Sequence, residues 1–222
     1  MRDAFERIYA TNQWTYGSGE GSLPPHNRVY ARFLEDFIRT RGVRSVLDMG
    51  CGDWQFSRLI DWGGARYLGL DVVESVVQTN KERFERPGVE FRRYSGDPGD
   101  LPGADLLIAK DVVQHWSNAS IQRWLPVIQN YRWALITNCV SPRRPFTRNT
   151  DITDGGFRPL DLRKAPFHLR AKKVLTFTNH RAGLARLMPP KFKKMTLLVE
   201  NPDAPRADAG PPRHREQQVE LA

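Results

Sequence analysis

Val46-Leu47-Asp48-Met49-Gly50-Cys51-Gly52-Asp53-Trp54 decides how this chain folds. Val46 and Leu47 suit the end of a buried strand, Asp48 follows, and two glycines then alternate with small or polar residues. Phe56 to Ile60 resume at helical spacing and predict a helix that stops at Gly63-Gly64. Strand, glycine turn and helix together make a cradle for a phosphate or a nucleoside. Gly50 and Gly52 can take backbone angles closed to other residues, which lets a ligand approach the main chain.

The details of the turn narrow the ligand. A dinucleotide fingerprint needs a third glycine where Gln55 stands, and a P-loop needs a Gly-Lys-Ser/Thr run that is absent. Asp48 at the strand end would repel a pyrophosphate and suits a cationic group such as an ammonium. Both features disfavour an NAD-dependent oxidoreductase.

Outward from this turn, strands and helices alternate. Towards the N-terminus, Val29, Phe33, Leu34, Phe37 and Ile38 recur at helical spacing and predict a helix ending near Gly42. Before it, Trp14, Tyr16 and the Gly17–Ser22 stretch form a glycine-rich loop. Towards the C-terminus come a second strand ending in Asp71, a helix over 75–84, and a third strand over 89–94. A fourth strand over 104–109 leads into Lys110-Asp111-Val112-Val113-Gln114-His115-Trp116. A helix on Ile121, Trp124, Leu125 and Ile128 and a fifth strand over 133–139 follow. Residues 141–170 break the alternation, and a loop of that length inside a domain is functional or disordered. Its mixture of apolar groups and carboxylates predicts ordering against the domain. Two last strands are expected over 173–178 and 195–200, and residues 201–222, rich in proline and charge, are expected to form a disordered tail.

Asp48-Met49-Gly50-Cys51-Gly52 resembles motif I of the class I S-adenosylmethionine (SAM) dependent methyltransferases, with Trp54 where that family often has glycine. Asp71, Asp97 and the 110–115 segment arrive in the family's order. The resemblance covers roughly residues 43–140 by motif, and 171–200 by strand order alone. It implies an α/β, Rossmann-like fold: a mostly parallel sheet with an antiparallel last strand and helices on both faces. It also implies SAM as cofactor, bound by Asp48, Gly50, Cys51, Gly52, Asp71, Val72, Asp97 and Lys110. Asp71 would hold the ribose hydroxyls, Val72 would flank the adenine, and Asp97, with Asp100 as competitor, would accept from the adenine amino group. Residues 1–42 would form an N-terminal helical cap and lid on a SAM-binding domain over 43–200, with the 141–170 insertion serving the substrate. Lys-Asp-Val-hydrophobic-Gln-His-Trp and Asn-x-Asp-Ile further resemble a bacterial subgroup of these enzymes.

The end of the fourth strand faces the methyl group in this fold. Asp111 and His115, four apart, would share a face if a helix began there, with His115 as catalytic base and Asp111 as its orienter. Asn149, Asp151 and Arg158 offer donors and acceptors for a substrate. Asp111, His115 and Asp151 could ligate a metal, but their spacing demands none, so no metal is expected.

Composition bounds the rest. The chain has 222 residues and a net charge of +9. From residue 151 onward there are 14 Lys/Arg against 8 Asp/Glu, so the positive excess is concentrated late. Such a balance can attract nucleic acid. A nucleic-acid methyltransferase or binder is therefore the second reading, disfavoured because the Asn/Asp-Pro-Pro-aromatic signature of many base N-methyltransferases is missing after the fourth strand. The first reading is a methyltransferase for a small or medium-sized polar acceptor, modified on oxygen or nitrogen. No apolar run reaches the length of a membrane span, the N-terminus lacks the apolar core of a signal peptide, and Cys51 and Cys139 read as reduced thiols. A cytoplasmic location is expected.

Overall fold

The computed structural model describes residues 1–141, 148–179 and 193–205. Seven strands form one sheet: β1 (Ser45–Met49), β2 (Arg66–Asp71), β3 (Val89–Arg93), β4 (Leu106–Lys110), β5 (Trp133–Val140), β6 (Lys172–Phe177) and β7 (Lys193–Glu200). Their order is β3-β2-β1-β4-β5-β7-β6. The first five pair in parallel, and β7 runs antiparallel to both β5 and β6. The last strand is thus the antiparallel one, inserted between its two neighbours.

All five residues of β1 and all five of β4 are buried, as expected for central strands covered on both faces. Val46, Leu106, Ile108, Leu135 and Leu198 face one side, where Tyr30, Leu34, Phe37 and Ile38 of α2 (Pro24–Arg41) pack on them. Pro24 opens α2 at its first position and Gly42 closes it in the left-handed conformation, an assignment of proline and glycine that suits each end of a helix. On the other side, Leu47, Leu107, Ala109 and Ile136 meet Phe5 and Ile8 of α1 (Arg2–Ala10). Ile121 and Trp124 of α4 (Asn118–Trp124) pack on that same side. The N-terminal 42 residues therefore supply a helix to each face of the sheet as well as the loop between them. The third α-helix, α3 (Glu74–Phe84), connects β2 to β3.

One expected element is missing. The helix predicted after the glycine turn is only a single 3-10 turn, Ser57–Leu59. Gly50, Gly52 and Trp54 all have positive φ (72°, 56° and 56°), so the chain enters right-handed helical space only at Phe56 and leaves it again at Ile60, which is extended. Trp54 takes this costly conformation while its indole is fully buried against Tyr67, Phe84 and Phe91, with ring centroids 5.4, 5.3 and 5.1 Å away. The apolar spacing of Phe56 to Ile60 came from packing along an irregular crossover, not from a helix.

The described part of the 141–170 insertion holds neither strand nor helix, yet Leu160 and Leu162 are fully buried. Asn201 ties the end of β7 down, its side chain donating to the Ile128 and Tyr131 carbonyls at 3.2 and 2.9 Å. The remainder of the expected tail, residues 206–222, lies outside the described residues, as do residues 142–147 of the insertion.

Candidate active site

A cavity of about 700 Å³ opens at the carboxyl ends of β1, β2, β4 and β5, where ligands bind in open α/β sheets. Asp48, Gly50, Cys51, Gly52, Asp71, Val72, Lys110, Asp111 and His115 all line it. The two glycines are needed there. A Cβ on Gly50 would lie 2.5 Å from Val112 Cγ2, and one on Gly52 would lie 2.3 Å from Ser18 Oγ.

Asp71 is buried at the end of β2, and its two oxygens accept from the Gly52 and Val73 N–H groups, each at 3.0 Å. Burial raises its pKa against these hydrogen bonds. Each oxygen keeps a lone pair for a further donor. Asp48 is also buried; its Oδ2 accepts from the Tyr67 hydroxyl at 2.7 Å. Burial pushes its carboxyl up to about 6, with Tyr67 and the Lys110 charge acting in the opposite direction. Trp54, which replaces a common glycine of the motif, turns away from the cavity into the core, so it does not cover the ligand.

Beyond β4 the chain makes a polar knot. Asp111 has φ +60°, and its carboxylate lies beside Gly21. Its Oδ2 accepts from Lys110 Nζ at 2.7 Å and from Lys194 Nζ on β7. Burial pushes the Asp111 carboxyl up, but the two ammonium groups together outweigh this and hold it well below the usual carboxylate range. Lys110 is lowered by burial to about 8, despite Asp111. Its ammonium also donates to the Gly21 carbonyl at 3.3 Å and lies 4.7 Å from the Phe56 ring centroid.

His115 sits in a 3-10 turn, Val113–His115, so the helical face expected for Asp111 and His115 does not form, although both reach the cavity. The Nδ1 atom lies 2.7 Å from the Gly156 carbonyl. A carbonyl only accepts, so Nδ1 carries the proton and Nε2 is the acceptor, where the Gln114 side-chain amide donates to it at 3.4 Å. Burial lowers the His115 pKa, with the Gly156 bond and Asp111 opposing it; the imidazole is thereby held neutral. Trp14 covers the ring, with centroids 4.9 Å apart, and Phe157 flanks it at 5.7 Å.

Four expected site residues stand elsewhere. Asp97 is exposed, and its Oδ1 accepts from the Gly99 N–H at 3.0 Å, capping a 3-10 turn. β3 ends at Arg93, and Tyr94, with a buried hydroxyl lacking a partner among the described residues, lines the cavity instead. Asn149 is buried away from the cavity, donating to the Asp161 and Ala165 carbonyls at 2.9 and 2.8 Å. Asp151 is exposed and accepts from the Asn118 N–H at 2.7 Å. Arg158 is buried and donates to Asn118 Oδ1 at 3.0 Å. Asn149 ties the insertion to itself, and Asp151 and Arg158 fasten it to the start of α4, beside the Gly156 carbonyl that meets His115. Residues that the motifs did not single out complete the wall: Tyr9, Ser18, Gly21, Tyr94, Phe157 and Lys194.

Residues 47–128 match a family profile described as a methyltransferase domain. No curated protein matches the chain. Among solved structures, the chain is similar to a magnesium protoporphyrin IX methyltransferase from Synechocystis PCC 6803 with bound S-adenosylhomocysteine (SAH), at 16% identity and TM-score 0.57, over 89% of this chain and 96% of that one. It is likewise similar to the methyltransferase domain of a bacterial Hen1, at 14% identity and TM-score 0.53, over 78% and 98% of the two chains. TehB from Haemophilus influenzae aligns at 13% identity and TM-score 0.51, over 88% and 66%. With the glycine cradle, Asp71 and the strand order in place, the chain has the fold of the class I SAM-dependent methyltransferases and carries a match to a methyltransferase domain over residues 47–128.

The residues present fit that cofactor. Gly50 and Gly52 leave main chain open where a side chain would block it, and Asp71 retains acceptor capacity toward a diol. Among the described residues, no group of three or more His, Cys, Asp or Glu is arranged to hold a metal, and no helix is long and apolar enough to cross a membrane.

Proposed function

We propose that this protein is a SAM-dependent methyltransferase acting on an oxygen or nitrogen of a small or medium-sized polar acceptor, with His115 as the base. SAM, when bound, supplies a methyl group on a good sulfonium leaving group. The protein is then left to align a nucleophile and accept its proton. Alignment is worth about 7–11 kcal/mol, and a positioned base roughly 10²–10⁴-fold. Asp71 and the glycine turn would hold the nucleoside, with Val72 and Tyr94 beside the base. Asp48 and Lys110 stand on adjacent strands and would face the zwitterionic methionine end.

The observation that carries the reading is the state of His115. Its Nδ1 proton is committed to the Gly156 carbonyl, and burial disfavours the charged ring, so the Nε2 lone pair, met by the Gln114 side-chain amide at 3.4 Å, lies in the same cavity as the glycine turn. Trp14 and Phe157 restrict the water around it. The test is a screen of phenols, hydroxy acids and amines with methyl-labelled SAM. A modified acceptor whose rate collapses in His115→Ala, with SAH affinity intact, supports the assignment. A rate unchanged in that variant removes His115 from the chemistry.

A further inference from the structure

We propose that Lys194, together with Asp111, forms a subsite for an acidic group on the methyl acceptor, a carboxylate or a phosphate. The inference rests on the reading of the cavity as a methyltransferase site and specifies what enters beside the cofactor. Lys194 comes from β7, and its side chain is only 5% exposed although it lines the cavity. An ammonium has three donors. Among the described residues Asp111 is the hydrogen-bond partner of Lys194, whereas Lys110 also holds the Gly21 carbonyl and the faces of Phe56 and Tyr30. Lys110 is therefore saturated, and Lys194 has donors to spare in a place where water is scarce.

Asp111 shows the complementary vacancy. Its Oδ2 serves both lysines, while its Oδ1 is buried and without a partner among the described residues. A buried unpaired carboxylate oxygen is costly, and a ligand hydroxyl or amine would satisfy it. The subsite thus offers one cation for an acid and, next to it, one acceptor for a donor group. Gly21 roofs it: a Cβ there would lie 3.0 Å from Lys194 Nζ and 3.6 Å from Asp111 Oδ2.

It borders the cofactor's end of the cavity on the side away from β1, since Lys110 and Lys194 meet on the same Asp111 oxygen. Lys110 stands on β4 next to Asp48 of β1, whereas Lys194 stands on β7, beyond β5, in register with Cys139, and the charges of Lys194 and Asp111 also act on His115. Lys194 therefore belongs with the proposed base. An acceptor bearing a hydroxyl or amine close to an acid, such as a hydroxybenzoate or a phosphorylated alcohol, matches all three groups.

The test uses the full chain saturated with SAH and titrated by calorimetry with benzoate and with inorganic phosphate. At least one anion is expected to bind. Lys194→Met should weaken that binding about tenfold or more, the usual consequence of losing a charge-assisted hydrogen bond, while SAH affinity stays within about twofold. Lys194→Arg should restore anion binding, which guards against loss of fold as the explanation. The proposal is overturned if neither anion binds the SAH-loaded wild type, or if Lys194→Met binds it equally well. It is also overturned if Lys194→Met loses SAH affinity but keeps that for 5′-methylthioadenosine, because Lys194 would then serve the cofactor's own carboxylate. Failure of SAH to bind the wild type, seen in the first titration, would instead sink the cofactor assignment.

Discussion

Ser18 and Asp53 bind each other twice: the Ser18 N–H donates to Asp53 Oδ2 at 3.2 Å, and the Asp53 N–H donates to Ser18 Oγ at 2.8 Å. This reciprocal pair fastens the segment between α1 and α2 onto the glycine turn. Tyr9 adds its hydroxyl to Ser18 Oγ at 2.7 Å. The segment is thus held at Ser18 over Gly52 and at Gly21 over Lys110.

Removing the Ser18 hydroxyl should loosen the first of these contacts. Ser18→Ala leaves the Asp53 N–H and the Tyr9 hydroxyl without that partner, a loss of about 0.5–1.5 kcal/mol for each hydrogen bond. SAH should bind roughly 3–10-fold more weakly, mostly through faster dissociation. Stopped-flow fluorescence from Trp14 would follow the release. An unchanged dissociation rate would show that this contact does not hold the segment over the cavity.

Gly50 and Gly42 offer a matched comparison. Both have positive φ, at 72° and 61°, but an added Cβ meets Val112 in the first case and nothing within 4 Å in the second. Gly42→Ala should cost only the backbone term, about 1–2 kcal/mol. Gly50→Ala should add about 1–3 kcal/mol of overpacking and abolish most SAH binding. The double variant Gly50→Ala, Val112→Ala should recover part of the stability. Equal denaturant midpoints for the two single alanine variants would refute the close contact.

The insertion and the base should separate kinetically. His115→Ala is expected to lower turnover at least tenfold, with SAH affinity within about twofold. Asp151→Ala is expected to behave differently from a substrate ligand, because its carboxylate holds the Asn118 and Ile152 N–H groups outside the cavity. That variant should show a small fall in melting temperature and nearly normal KM. A large rise in KM for Asp151→Ala would return the residue to the acceptor site.

The parts of this site that the sequence reveals are those built by consecutive residues. Asp48, Gly50, Gly52 and Asp71 lie at strand ends whose position follows from apolar runs and turns, so their convergence needs only the strand order. Lys194 reaches Asp111 across 83 positions of sequence, and no local pattern marks one lysine of a basic chain as buried. Asn149 and Arg158 illustrate the opposite failure. A polar residue in a long loop has the same one-letter signature whether it holds a substrate or, as here, a backbone carbonyl or a neighbouring amide. Asp97 was misplaced because Ser95-Gly96-Asp97-Pro98-Gly99 turns away from the sheet edge, and its carboxylate prefers the local Gly99 N–H. The missing helix after Gly52 has a similar cause: positive φ at Gly50, Gly52 and Trp54 delays the first helical residue to Phe56, and Ile60 is already extended.

Asp48 should leave a signature in the pH dependence of stability. Its carboxyl is raised to about 6 by burial, above its ordinary value of 3.8. Between those values the folded protein binds a proton at Asp48 that the unfolded chain has released, so stability from this group falls as pH rises through the interval. The full contribution is present below the lower value and is gone above the upper one. Asp48→Asn keeps an acceptor for the Tyr67 hydroxyl and cannot ionise. The stability of Asp48→Asn relative to the wild type should therefore rise between about pH 4 and 6 and level off above, by about 1–3 kcal/mol in total. Asp111 and His115 are both lowered and give slopes of the opposite sign, and Asp71 is raised like Asp48. Asp111 and His115 are common to both proteins and drop out of the difference, whereas Asp71 enters it through its repulsion of Asp48, which acts in the same direction as burial. Urea midpoints at several pH values would supply the curve. Saturating SAH should shrink it, because a ligand ammonium beside Asp48 favours the ionised form. A difference that does not change with pH would show that Asp48 titrates normally in the fold and that burial does not hold its proton.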